Sequence, residues 1–137
     1  MAEQVEGSHT LPQVAAAAEV EYRTLHTWLK RGLVRATRRV SSGSGTPNLF
    51  APEDVLEVRI LADLRRAGLD LRALERTAQA LQGVGARLEG NELLVVNGSV
   101  EVLADREQLL PTLERPGPAL VYNVAWARSA LAQASAD

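Results

Sequence analysis

Cysteine is absent from the 137 residues. That excludes disulfides, thiolate metal sites and thiol nucleophiles, and it fits a reducing compartment. Aromatics are scarce, with two Trp, two Tyr and one Phe, so aliphatic side chains must fill any core. The two histidines, His9 and His26, stand far apart in the chain, and no metal-ligand spacing can be read from them. No apolar run approaches the roughly 20 residues that cross a bilayer. The opening MAEQVEGSHT is acidic and polar, unlike a secretory signal. The expectation is a cytoplasmic protein with no membrane partner. Phosphate loops, a nucleophile elbow and paired metal-binding histidines are missing too. Glu53, Asp54 and Glu57 cluster only where a helix N-terminus attracts acid. No catalytic residue, metal ligand or cofactor is assigned, and the expected protein is not an enzyme.

What is present is an uneven charge distribution. The chain is 46% hydrophobic and 23% charged, as a globular protein of one domain or two small ones would be. Its net charge is −2, yet residues 21–50 hold Arg23, Lys30, Arg31, Arg35, Arg38 and Arg39 against Glu21 alone. A solvated face has no reason to collect such an excess, whereas a phosphate-binding surface does.

Around this cluster the pattern predicts two tightly joined helices. After a loose tail, 1–9, Thr10 and Gln13 have capping-box spacing, and Pro12 suits a first turn. Leu11, Val14, Ala15 and Ala18 form an apolar stripe. A second helix over Tyr22–Arg31 sets Leu25, Trp28 and Leu29 on one side and Arg23, His26, Thr27 and Lys30 on the other, and Gly32 closes it. Leu33–Val40 and "NLF" around "SSGSGTP" then read as a hairpin wing. Pro52 opens a third helix with Val55, Val58, Leu61 and Leu64 inward, ended by Gly68. Asp70 caps a fourth, with Leu71, Leu74, Ala78 and Leu81 at heptad-like spacing. Beyond Gly83 and Gly85 the pattern turns to strands. "ARLE", "ELLVV" and "SVEVLA" are separated by Gly90-Asn91 and Asn97-Gly98, both two-residue hairpin signals. A short helix over Asp105–Leu113, a turn at "RPGP", a buried strand "ALVYNV" and a last helix from Ala125 complete the reading.

Val20, "RTLHTW" at 23–28, "GLV" at 32–34, Arg38, Arg39, Gly45, Phe50, "PEDV" at 52–55 and "RRAGLDLRAL" at 65–74 occur in the order found in one family. Over residues 10–82 the chain resembles the MerR-type winged helix-turn-helix DNA-binding proteins of bacteria. His26 and Thr27 replace the family's Arg and first Tyr, Trp28 takes the second aromatic place, and Asn48 stands where a wing arginine is usual. Typical members continue into one long helix that pairs antiparallel with a partner. Here the fourth helix is expected to stop near Gln82, and residues 84–137 follow as a small α+β unit. That unit distantly resembles a domain of antitoxin-like proteins. The expected class is therefore α+β, an N-terminal MerR-like winged helix-turn-helix followed by this unit.

The resemblance implies major-groove docking by the second helix. Tyr22 and Arg23 are then candidates for base edges, and His26, Thr27 and Lys30 for phosphates. Arg38, Arg39 and the Gly/Ser tip with Ser44 would follow the backbone. Trp28 reads as core. Two functions fit. One is a dimeric transcriptional regulator on double-stranded DNA at the bacterial nucleoid. The other is an antitoxin-like or nucleoprotein adaptor. The 84–137 unit could serve as homodimer interface, or hold a protein partner or a small-molecule effector.

Overall fold

The computed structural model describes residues 9–36, 38–39, 48–84 and 92–136. Helix α1 spans Leu11–Ala18, with Thr10 as N-cap: its hydroxyl accepts from the Gln13 N–H while the Gln13 side chain accepts from the Thr10 N–H. Helix α2 spans Tyr22–Arg31 and ends on Gly32 at φ 80. The Gly32 N–H bonds the Leu29 carbonyl and the Leu33 N–H the Trp28 carbonyl, a left-handed cap that glycine adopts without the penalty of a Cβ. Strands β1 (Arg38–Arg39) and β2 (Asn48–Leu49) pair antiparallel as the root of the predicted wing. The tip, including Ser44, lies outside the described residues. Sequence placed His9 in a loose tail, but His9 and Phe50 exchange backbone hydrogen bonds of 2.9 and 2.7 Å, so His9 belongs to the fold.

Helix α3 spans Pro52–Arg66 and is the centre of the molecule. Every residue from Asp54 through Ala62 is buried, not only the Val55, Val58, Leu61 and Leu64 stripe. The reason is that helices pack against it from several sides: α1, α4 (Leu71–Val84) and α6 (Val124–Ala136). Asp70 accepts from the Ala73 N–H at the start of α4. Leu74, Ala78 and Leu81 are buried while Leu71 is exposed, so that stripe is three residues of core and one of surface.

A three-stranded antiparallel sheet follows, ordered β4-β3-β5, from β3 (Leu93–Val96), β4 (Val100–Leu103) and β5 (Leu120–Asn123). Between β4 and β5 run a 3-10 turn, Arg106–Gln108, capped by Asp105, and the short α5, Leu109–Thr112. Two expectations change here. The β3–β4 connection takes three residues, Asn97–Ser99, with Gly98 at φ 97, where a two-residue turn was expected. β5 is half-exposed rather than buried, because it forms a sheet edge. The "ARLE" strand and its Gly90-Asn91 turn lie outside the described residues. Leu94, Val124 and Ala127 share one core with Val14, Leu25, Phe50 and Leu61. The C-terminal unit thus packs into the helical half. A smaller cluster of Leu93, Val95 and Leu103 lies on the other face of the sheet.

Candidate nucleic-acid interface

The interface starts at the turn between α1 and α2. Glu19 adopts the left-handed region, φ 57 and ψ 47, and is the one non-glycine residue with positive φ among those described. That conformation costs roughly 1–2 kcal/mol for an L-residue. Helix α3 offsets it with two arginines. Arg66 Nη1 donates to the Glu19 carbonyl at 2.6 Å, and Arg59 Nη1 to Glu19 Oε2 at 3.2 Å. Both arginines are held in turn by Asp63, through Arg59 Nε at 3.1 Å and Arg66 Nη2 at 2.6 Å. Asp63 also accepts the Tyr122 hydroxyl of β5 at 2.5 Å. Burial pushes the Asp63 carboxyl up, but the donors Tyr122, Arg66 and Arg59 together outweigh it and hold it below the usual carboxylate range. Burial and the Asp63 charge both push the Tyr122 phenol up, so it stays protonated and donates.

With the turn fixed, α2 presents two unlike faces. Leu25 and Trp28 are 0% and 3% exposed in the core, as the sequence implied for Trp28. Tyr22, Arg23, His26, Thr27 and Lys30 are all exposed. The rings of Tyr22 and His26 stack one turn apart, 6.3 Å between centroids and 17° between planes. Thr27 Oγ1 donates to the Arg23 carbonyl at 3.0 Å, so its hydroxyl hydrogen is used within the helix. At the far end, Gln82 Nε2 of α4 reaches the Gly32 and Leu33 carbonyls at 3.4 and 3.3 Å. Leu33 and Val34 are buried, which anchors the chain as it leaves α2. The structure therefore brings Tyr22, Arg23, His26, Thr27 and Lys30 onto one surface. It places Arg38 and Arg39 in β1. Sequence reasoning missed Glu19, Arg59, Asp63, Arg66 and Tyr122, which hold that surface in position. The 59/63/66 spacing on one helix was a readable signal for part of this set, whereas Tyr122 joins from the far end of the chain.

The profile of the MerR HTH family regulatory proteins matches residues 10–81. The chain belongs to the MerR helix-turn-helix family. Among curated proteins it is similar to uncharacterized HTH-type transcriptional regulators of Mycobacterium tuberculosis and Mycobacterium bovis, 27% identical over 88 residues. The match covers 64% of this chain and 39% of each relative, so the chain spans about two fifths of the length of those proteins. In this MerR-family chain the matched span holds the whole of α1 through α3 and nearly all of α4. No helix among the described residues is long and apolar enough to cross a membrane.

One acid of the MerR-like half is far from ordinary. Glu57 on α3 is buried, and its pKa rises from 4.5 to about 7. Desolvation is the main cause and the Asp54 charge adds to it, while Arg35 opposes them. The unfolded chain releases this proton near 4.5 and the folded one near 7, so stability falls as pH rises through that window and stays lower above it. A shift of that size corresponds to at most about 3.5 kcal/mol. Glu57→Gln should therefore stabilise the protein more at pH 8 than at pH 5. Urea melts of both forms at the two pH values check this. An equal effect of the substitution at both pH values refutes it.

Proposed function

We propose that this chain binds double-stranded DNA sequence-specifically, with α2 in the major groove and the β1–β2 wing on the backbone. It acts as a dimeric transcriptional regulator in the bacterial cytoplasm. The observation that carries the reading is the two-faced α2. Leu25 and Trp28 seat it on a helix-turn-helix of the MerR family, while Tyr22, Arg23, His26, Thr27 and Lys30 are left exposed together. In this docking the N-terminal residues of the helix meet base edges. Arg23 can bridge guanine O6 and N7, a contact worth about 1–3 kcal/mol of discrimination. Tyr22, stacked on His26, offers a flat surface beside it. Lys30, two turns on, matches a phosphate, as do Arg38 and Arg39 in the wing. Thr27 must turn its hydroxyl away from the Arg23 carbonyl before it can donate to a phosphate. The acidic C-terminal unit supplies the two-fold contact that sets two α2 helices about one turn of DNA apart, roughly 34–36 Å.

Selection of bound sequences from random duplexes tests specificity and half-site spacing together. Arg23→Ala should relax preference at one base position. Arg39→Ala should weaken all sequences alike and reduce the salt slope by about one unit. Should Arg39→Ala change the preferred sequence while Arg23→Ala does not, the roles of helix and wing are reversed.

A further inference from the structure

The hydrogen-bond phase of the sheet shows which backbone groups remain free. The Asn97 N–H bonds the Ser99 carbonyl, and the Val124 N–H bonds the Glu92 carbonyl, each at 3.0 Å. In antiparallel ladders bonded and non-bonded pairs alternate. With the register Leu94↔Tyr122 and Val96↔Leu120, the backbone groups of Leu120 and Tyr122 face β3. Those of Val121 and Asn123 point the other way, to an edge of β5 that has no neighbouring strand among the described residues. The opposite edge of the sheet differs. In β4, against which α4 packs, stands Glu101, ion-paired to Arg115 at 3.5 Å.

We propose that the outer edge of β5 pairs antiparallel with the same edge of a second copy of this chain, about a two-fold axis near Val121. Two three-stranded sheets then become one continuous sheet. This deepens the paired reading above by naming the contact. Antiparallel edges are self-complementary under a two-fold, since each donor meets an acceptor. From Pro116 through Ala127 there is no charged residue in a chain that is 23% charged, so two copies meet without like charges facing each other. Sheet edges are usually blunted by a lysine, a proline or an inward charge, and residues 119–123 contain none of these. Val121, 42% exposed, and Trp126, 58% exposed, put apolar surface on and just beyond the strand. β4 lacks these properties, because a two-fold there would bring charged Glu101–Arg115 pairs together beside α4. The Tyr122 hydroxyl, fixed to Asp63, ties the pairing strand to the helix that also holds the α1–α2 turn. A second copy on this edge therefore fixes the separation of two α2 helices, which a foreign strand would not.

The test uses the full chain with no DNA present. Sedimentation at micromolar concentration should show a dimer. Val121→Lys places a charge beside the axis and should raise the dissociation constant at least about tenfold, with the circular-dichroism melt retained. Because the chain has no cysteine, single thiols can also map the contact. Val121→Cys should be joined to its partner by a short bis-maleimide, and Ala104→Cys, just past β4, should not. If Val121→Lys does not fold, the thiol pair decides alone. A monomeric full chain, a dimer that Val121→Lys leaves intact, or cross-linking through Ala104→Cys and not Val121→Cys overturns the interface. A monomer that still binds duplex refutes this contact and spares the DNA reading. A β5-paired dimer that binds no duplex does the reverse.

Discussion

Asp63→Ala should destabilise the protein by about 3 kcal/mol, because it leaves the buried Arg59 guanidinium without its main partner. The Arg59 side chain is 7% exposed, and its other acceptor, Glu19, is 69% exposed and solvated. Asp63 is the one group that touches Arg59, Arg66 and Tyr122 together. Its loss removes three charge-assisted hydrogen bonds at once. It also frees Arg66 from the geometry in which it grips the Glu19 carbonyl, so the left-handed turn before α2 loses part of what offsets its strain. Tyr122→Phe removes only the bond from β5 and should cost about 1.5–3 kcal/mol, the range for hydrogen bonds to charged groups. Urea denaturation at neutral pH measures both. The order is the decisive feature: Asp63→Ala must cost at least as much as Tyr122→Phe, and a cost under about 1 kcal/mol for Asp63→Ala means the arginines find other partners. The sign with pH also follows. Asp63 is held below its unfolded value, so its contribution is complete above the ordinary aspartate range and is lost as pH falls through the depressed value. Glu57 works in the opposite direction and at higher pH, as its raised value near 7 requires.

The parts of this fold legible in the sequence are those decided within a few residues. Thr10 and Gln13 announce α1, Gly32 ends α2, Pro52 opens α3, and Asp70 caps α4. Each is a local backbone matter of caps, fixed φ or a left-handed residue, and the neighbouring side chains supply all the information. The division of α2 into a core face and an exposed face was equally readable, since helical spacing alone separates Leu25 and Trp28 from Arg23, His26 and Lys30. Apart from the three-residue β3–β4 turn, the misses are long-range. "ALVYNV" is as apolar as a central strand, yet β5 lies at an edge, because sheet order depends on which strands β3 accepts. α3 carries Asp54, Glu57 and Arg59 outside its apolar stripe, yet all three are buried, Glu57 within reach of Arg35 and Arg59 against Glu19 of the α1–α2 turn, both distant in sequence. The turn before α2 rests on Arg59 and Arg66, 40 and 47 residues from Glu19, and on Tyr122, 59 residues from Asp63. Spacing within one helix suggests that Arg59, Asp63 and Arg66 meet. Nothing local says that a tyrosine completes them.

Duplex affinity should fall steeply with salt, and this is the largest effect expected of the proposed function. The excess of Arg and Lys in residues 21–50 includes members that face other tasks. Arg35 lies within electrostatic reach of Glu57 and is drawn toward the acidic start of α3. Arg23 is assigned to a base edge. That leaves Lys30, Arg38 and Arg39 as the surest phosphate partners, with His26, Thr27 and Arg31 beside them on the exposed side of α2. If each subunit neutralises about three to five phosphates, log affinity per subunit falls with log salt at a slope of about −2.7 to −4.5. Between 50 and 200 mM salt that is a loss of roughly 40- to 500-fold for one subunit, and more for a dimer on both half-sites. Fluorescence anisotropy with a labelled duplex across that range gives the slope directly. Lys30→Ala should lower it by about one unit, as Arg39→Ala does, because each removes one released counterion. Glu57→Gln should leave the slope nearly unchanged, since a buried carboxyl on α3 contacts no phosphate. An affinity that stays flat across salt, or no binding to any duplex, removes the exposed basic face of α2 as a nucleic-acid surface. The exposed Tyr22, His26 and Lys30 would then have to be explained by a protein partner.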